Sequence, residues 1–90
     1  MADPEQHDRH VELTVVVNGQ STEVRVEASQ PLRVVIPRAL EQTGNAGQPP
    51  ENWELRSAQG EVLALDQAVK DFHFPEDTTL FLNLKAGIGG

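Results

Sequence analysis

The sequence predicts an α+β domain in which a mixed sheet of about five strands packs on one helix, with a short second helix beside it. Three patterns carry that expectation. Val11, Leu13, Val15 and Val17 alternate with Glu12, Thr14 and Val16 and run into Asn18-Gly19. Leu32, Val35, Ile36, Ala39 and Leu40 then recur at helical spacing, and near the end of the chain Leu80, Leu82 and Leu84 alternate with Phe81 and Asn83.

The alternation over 11–17 has the period of a strand, and Val16 on its second face suits a central position. Asn-Gly is the pair best adapted to the positive dihedral angles of a two-residue hairpin turn. The second strand therefore runs antiparallel to the first. In it Thr22, Val24 and Val26 face one way and Glu23, Arg25 and Glu27 the other, so one sheet face is dry and one wet.

Ser29-Gln30-Pro31 marks the start of a helix, with Ser29 or Gln30 near the cap and the proline where a missing N–H costs nothing. Gly44 is its natural stop. Pro37 sits awkwardly within it, because a proline past the first turn clashes with the carbonyl four residues earlier, that of Arg33, at about 3 kcal/mol. The helix is expected to start late, close to Arg33, or to kink.

Residues 45–52 (NAGQPPEN) have the composition of a loop, with Pro49-Pro50 imposing an extended crossing. Trp53 and Leu55 share one face of a short strand, Ala58-Gln59-Gly60 turns the chain, and Val62-Leu63 begins a return strand. Leu65, Ala68, Val69 and Phe72 stand at helical offsets, predicting a short helical turn with Asp66 near its start. Strand, strand, helix, strand, strand, short helix, strand is the order of a β-grasp, where one helix plugs a single twisted sheet and the last strand lies parallel to the first.

Bulk properties narrow the function. Ninety residues with 38% hydrophobic content make one small core, and the absence of cysteine rules out a disulfide, a thiolate metal site and a cysteine nucleophile. A net charge of −7 disfavours a nucleic-acid partner, since phosphate binding needs lysine and arginine. No apolar run is long enough to span a bilayer and residues 1–10 lack the apolar stretch of a signal peptide, so a cytoplasmic protein without a membrane partner is expected. Residues 1–10 (MADPEQHDRH) are too polar to offset the entropy of ordering and are expected to be a disordered lead-in, residues 11–84 the domain, and residues 85–90 a flexible tail.

Carrying these elements, residues 11–90 resemble ubiquitin in element order, loop placement and ending. LTVVVNGQSTEVRVEASQPL is similar to the ubiquitin family's first hairpin and helix start, GQPPEN to its proline-pair loop, and EDTTLFLNLKAGIGG to its last strand and diglycine end. The nearest kind is the bacterial ubiquitin-like proteins that accompany dedicated activating, conjugating and deconjugating enzymes. Two departures matter. Ile88 precedes Gly89-Gly90 where ubiquitin has an arginine, and Gly87 adds a further glycine. The outer sheet face carries Arg56 and Asn83 where ubiquitin presents an aliphatic patch, leaving Phe81 and Val16 as a different apolar spot for a partner.

What the resemblance implies is a protein modifier activated at the Gly90 carboxylate. An ATP-dependent adenylating enzyme would make the acyl-adenylate, a conjugating enzyme with a catalytic cysteine would take the acyl group, and an amine on a target protein would receive it as an isopeptide bond. A deconjugating or maturation protease would act at the same end. Gly87, Ile88, Gly89 and Gly90 form the conjugation tail, whose glycines thread a narrow channel at little steric cost. Lys70 and Lys85 are the only side-chain amines for self-linkage. The alternatives are a sulfur carrier, in which the adenylated diglycine receives sulfur as a thiocarboxylate, and a passive interaction module with an ordinary frayed terminus.

No residue reads as catalytic. Glu51, Glu54, Glu61, Asp66, Asp71, Glu76 and Asp77 supply carboxylates without a recognisable acid-base pair, and no glycine-rich phosphate loop follows a strand, so neither enzymatic activity nor a cofactor is expected. His7, Asp8 and His10 offer metal-ligand chemistry but no fixed geometry, and His73 between Phe72 and Phe74 reads as a loop residue. No metal site is expected.

Overall fold

The computed structural model describes residues 9–86. Four strands form one mixed sheet in the order β2-β1-β4-β3: β1 (His10–Val17), β2 (Gln20–Glu27), β3 (Trp53–Arg56) and β4 (Thr79–Leu84). The first hairpin is antiparallel, β4 returns parallel to β1, and β3 closes the far side antiparallel to β4. One helix, α1 (Val35–Gln42), covers the inner face. The fold is the expected β-grasp.

The hairpin turn has the dihedral angles its sequence requires, with Asn18 at φ 52° and Gly19 at φ 81°. It sets the β1–β2 register so that Leu13 lies opposite Val24 and Val11 opposite Val26. The inward residues are apolar and, Trp53 of β3 apart, aliphatic: Leu13, Val15 and Val17 on β1, Val24 and Val26 on β2, Leu55 on β3, and Leu80 and Leu82 on β4 are all buried. From the helix side Leu32, Val35, Ile36, Ala39 and Leu40 meet them, so the predicted helical stripe is the stripe that is buried.

The helix does start late. A single turn of 3-10 helix, Leu32–Val34, precedes α1, which places Pro37 in the first α turn, where its lost N–H has no intrahelical acceptor. No side-chain cap is used at either start. The N–H groups of Leu32 and Arg33 instead donate to the carbonyls of Gln67 and Leu65, at 2.9 and 3.1 Å. At the other end Gly44, at φ 75°, lets the N–H of Gly44 reach the Glu41 carbonyl and that of Asn45 reach the Leu40 carbonyl. This paired arrangement satisfies two orphan carbonyls at once.

Two expected elements take other forms. The sheet has four strands, not about five, because the return after Gly60 makes only an isolated bridge between Arg56 and Val62. Ser57 and Glu61 close that turn, and beyond Val62 the Leu63 N–H donates once to Leu55. The short second helix is a 3-10 turn, Val69–Phe72, shorter than the predicted 65–72. Residues 65–68 do not coil, because their backbone serves the 3-10 turn that precedes α1: the Leu65 and Gln67 carbonyls accept from the Arg33 and Leu32 N–H groups, and Ala68 bridges Pro31. The proline-pair loop is also less extended than expected, since Pro50–Asn52 forms one 3-10 turn after an extended Pro49.

The β2 edge of the sheet is closed by side chains. Arg38 on α1 donates to the Arg25 carbonyl, Gln42 donates to the Glu23 carbonyl at 2.7 Å, and the Glu27 N–H donates to Gln30 Oε1 at 2.9 Å. These are the outward backbone groups that another strand would pair with. Trp53, the largest core side chain, keeps its indole Nε1 buried without a hydrogen-bond partner among the described residues.

Candidate functional site

Two regions take the residues singled out in the sequence: the outer face of the sheet and the exit from β4. On the outer face, strand register places Val16 of β1 beside Phe81 of β4, and Phe81 beside Arg56 of β3. Asn83 lies one step further along β4, paired with Glu54. The four residues proposed as a partner surface are thus brought together in one patch. Inward Leu80 and Leu82 force the outward direction of Phe81, which is 37% exposed.

The row extends one residue further than the sequence indicated. Val62, read there as the start of a strand, bridges to Arg56 and is 58% exposed, the most exposed large apolar side chain of the described residues. An apolar residue between Glu61 and a half-buried Leu63 was the available signal, but a two-residue run gives no face. Arg56 is not free to swing over this surface. Its guanidinium bonds Glu54 Oε2 at 2.7 Å through Nε and the Gly60 carbonyl at 2.8 Å through Nη1, which anchors the turn to the strand. The patch therefore offers Phe81 and Val62 on either side of a fixed cation whose charge is matched by Glu54. Such a surface suits an apolar contact with a polar rim.

The exit from β4 lies at the same end of the sheet as the finish of β1, where Val17 pairs with Leu82. One further bond, from the Lys85 N–H to the Asn52 carbonyl at 2.8 Å, holds the chain past the end of the strand. Beside this point an apolar groove of about 480 Å³ runs between the start of α1 and the proline-pair loop, lined by Ile36, Pro37, Pro50, Trp53, Leu65 and Lys85. Arg33 and Asp66 form an ion pair across its mouth. Gly87, Ile88, Gly89 and Gly90, expected from the sequence to be a conjugation tail, lie outside the described residues, as do His7 and Asp8. His10 is the first residue of β1 and His73 holds a left-handed conformation at φ 55°. Among the described residues no three of histidine, aspartate and glutamate gather at metal-binding distance, and no helix is long and apolar enough to cross a membrane.

Known proteins with the same architecture support the topology. A de novo design based on ubiquitin superposes with a TM-score of 0.71 at 21% identity, covering 90% of this chain and 95% of the design. Ubiquitin of Caldiarchaeum subterraneum superposes at 0.69 with 17% identity, over 90% of this chain and 99% of its own. Identities this low speak to the fold alone. In sequence, the chain is 50% identical over 80 residues to the uncharacterized protein y4jI of Sinorhizobium fredii (strain NBRC 101917 / NGR234), a match that takes in 89% of this chain and 62% of the relative's length. The model of the family described as Protein of Unknown function (DUF2604) matches residues 6–90. The chain is a member of the DUF2604 family, built on a ubiquitin-like β-grasp fold.

Proposed function

We propose that this protein is a ubiquitin-like modifier of the bacterial kind, joined through the Gly90 carboxylate to amines of target proteins in the cytoplasm. The observation that carries the reading is where the last strand ends. The last strand is locked between two others, ends at Leu84, and releases the chain at Lys85, five residues before Gly90. A diglycine delivered on so short a stem from a ubiquitin-like body is suited to a narrow active site that must reach a carboxylate. The Sinorhizobium fredii relative is bacterial, as a modifier of the bacterial kind requires.

The chemistry belongs to the partners. A carboxylate oxygen of Gly90 attacks the α-phosphorus of ATP in an adenylating enzyme, and pyrophosphate leaves. A partner thiolate then attacks the acyl carbon and displaces AMP. Finally an acceptor amine attacks the thioester, the thiolate departs and the nitrogen loses a proton. The chain holds no cysteine and acts as substrate, not catalyst. A protease of the same system would hydrolyse the bond after Gly90, and the Phe81 and Arg56 surface would serve the enzymes or readers that grip the body while the tail reacts.

The test is reconstitution. Incubation of the full chain with the activating and conjugating enzymes of its own genome and ATP should give a thiol-sensitive adduct that vanishes when Gly90 is deleted. Failure to form any adduct with enzymes shown to consume ATP would overturn the reading. Intact mass measurement on protein from its native cell separates the sulfur carrier, which gains sulfur in place of a terminal oxygen.

A further inference from the structure

We infer that the cavity at the end of the sheet where β1 begins is a docking site for an acidic peptide segment of a partner protein. The chain has seven lysines and arginines. Arg33 is ion-paired with Asp66, Arg56 with Glu54, and Arg38 is spent on the Arg25 carbonyl. Among the described residues no ion pair or hydrogen bond occupies the side chains of Arg9, Arg25, Lys70 or Lys85. Three of these four line one cavity of about 640 Å³. In a protein of net charge −7, convergence of three of these four cations on a single concavity is a local reversal of sign.

The three cations come from distant parts of the sequence and are fixed by backbone. Ala28 stitches two of them together: its N–H donates to the Arg9 carbonyl and its own carbonyl accepts from the Lys70 N–H at 2.9 Å. Arg25 sits on β2 opposite Glu12, its strand tied to α1 through Arg38. Beneath them Val69 is buried, and the half-buried ring of Phe74 stacks on Phe72 with centroids 5.0 Å apart. Cations over an apolar floor match carboxylates flanking an apolar side chain.

The same surroundings argue against other anions. Glu12 and Glu76 also line the cavity, which penalises the concentrated charge of a phosphate more than single carboxylates that can be spaced around them. A nucleic-acid strand leaving the cavity would lay its flanking phosphates over an acidic surface. The site is independent of the diglycine reading, since β1 and β4 are parallel and the cavity lies at the opposite end of β1 from the chain exit.

The experiment is fluorescence anisotropy of the full chain with a fluorescein-labelled Gly-Glu-Glu-Leu-Glu-Glu-Gly peptide at low ionic strength. Saturable binding is expected, weakened about fivefold or more by Arg25→Glu and by Lys70→Glu and unchanged by Arg33→Glu, which makes the same charge change beside the other groove. Circular dichroism verifies each fold, and Lys70→Gln serves in place of any reversal that perturbs it. The inference fails if no saturable binding occurs. It fails equally if Arg33→Glu weakens binding as much, or if inorganic phosphate or a labelled single-stranded oligonucleotide binds more tightly than the peptide through the same residues.

Discussion

Along β4, successive residues meet opposite environments. Leu80 and Leu82 are buried in the core beside Val15, Val17 and Leu55, while Phe81 and Asn83, alternating with them, look out from the sheet. The inner face is apolar, with the indole N–H of Trp53 its one buried polar side-chain group among the described residues; the outer face mixes an aromatic, an amide and a clamped arginine. Stability is concentrated on one side of a strand and recognition is available on the other. Mutations that preserve the inner face can remodel the outer one at low cost.

The largest expected effect tests the inner face. Leu82→Ala should destabilise the domain by about 2–5 kcal/mol, since the rigid frame of strands around it cannot collapse into the cavity. Thermal unfolding should show the midpoint falling by roughly 10 °C or more for a domain of this size. Phe81→Ala should cost about 1 kcal/mol or less, because its ring is already partly in water, yet slow transfer of the protein between partner enzymes in the reconstituted reaction. A loss like that of Leu82→Ala in the melt would show that the two faces are not separable. Arg56→Ala should be smallest in stability, within about 1 kcal/mol for a half-exposed ion pair, with its effect visible instead as loosening of the 57–60 turn in amide hydrogen exchange.

The elements legible in the sequence are those whose causes are local. Asn18-Gly19 dictates its own turn, Gly44 its own helix stop, and the alternation of Leu80, Leu82 and Leu84 dictates which way Phe81 points. Residues 65–72 hold less helix than their spacing predicts for a non-local reason: the spacing is real, but Leu65 and Gln67 give their carbonyls to the start of a 3-10 turn more than 30 residues earlier. The outer patch was legible because register follows from alternation. The cationic cavity was not, because Arg9 and Lys70 are joined only through Ala28, Arg25 comes from the neighbouring strand, and no periodicity links the three.

The central place of β4 also decides how the molecule bears load. A pull applied through the tail acts along the axis of β4, against β1 on one flank and β3 on the other. Its hydrogen bonds to the parallel β1 lie across the pull and must shear together, instead of opening one at a time as at a peeled edge. A load placed on the chain at the end of β4 is therefore shared by two flanking strands at once.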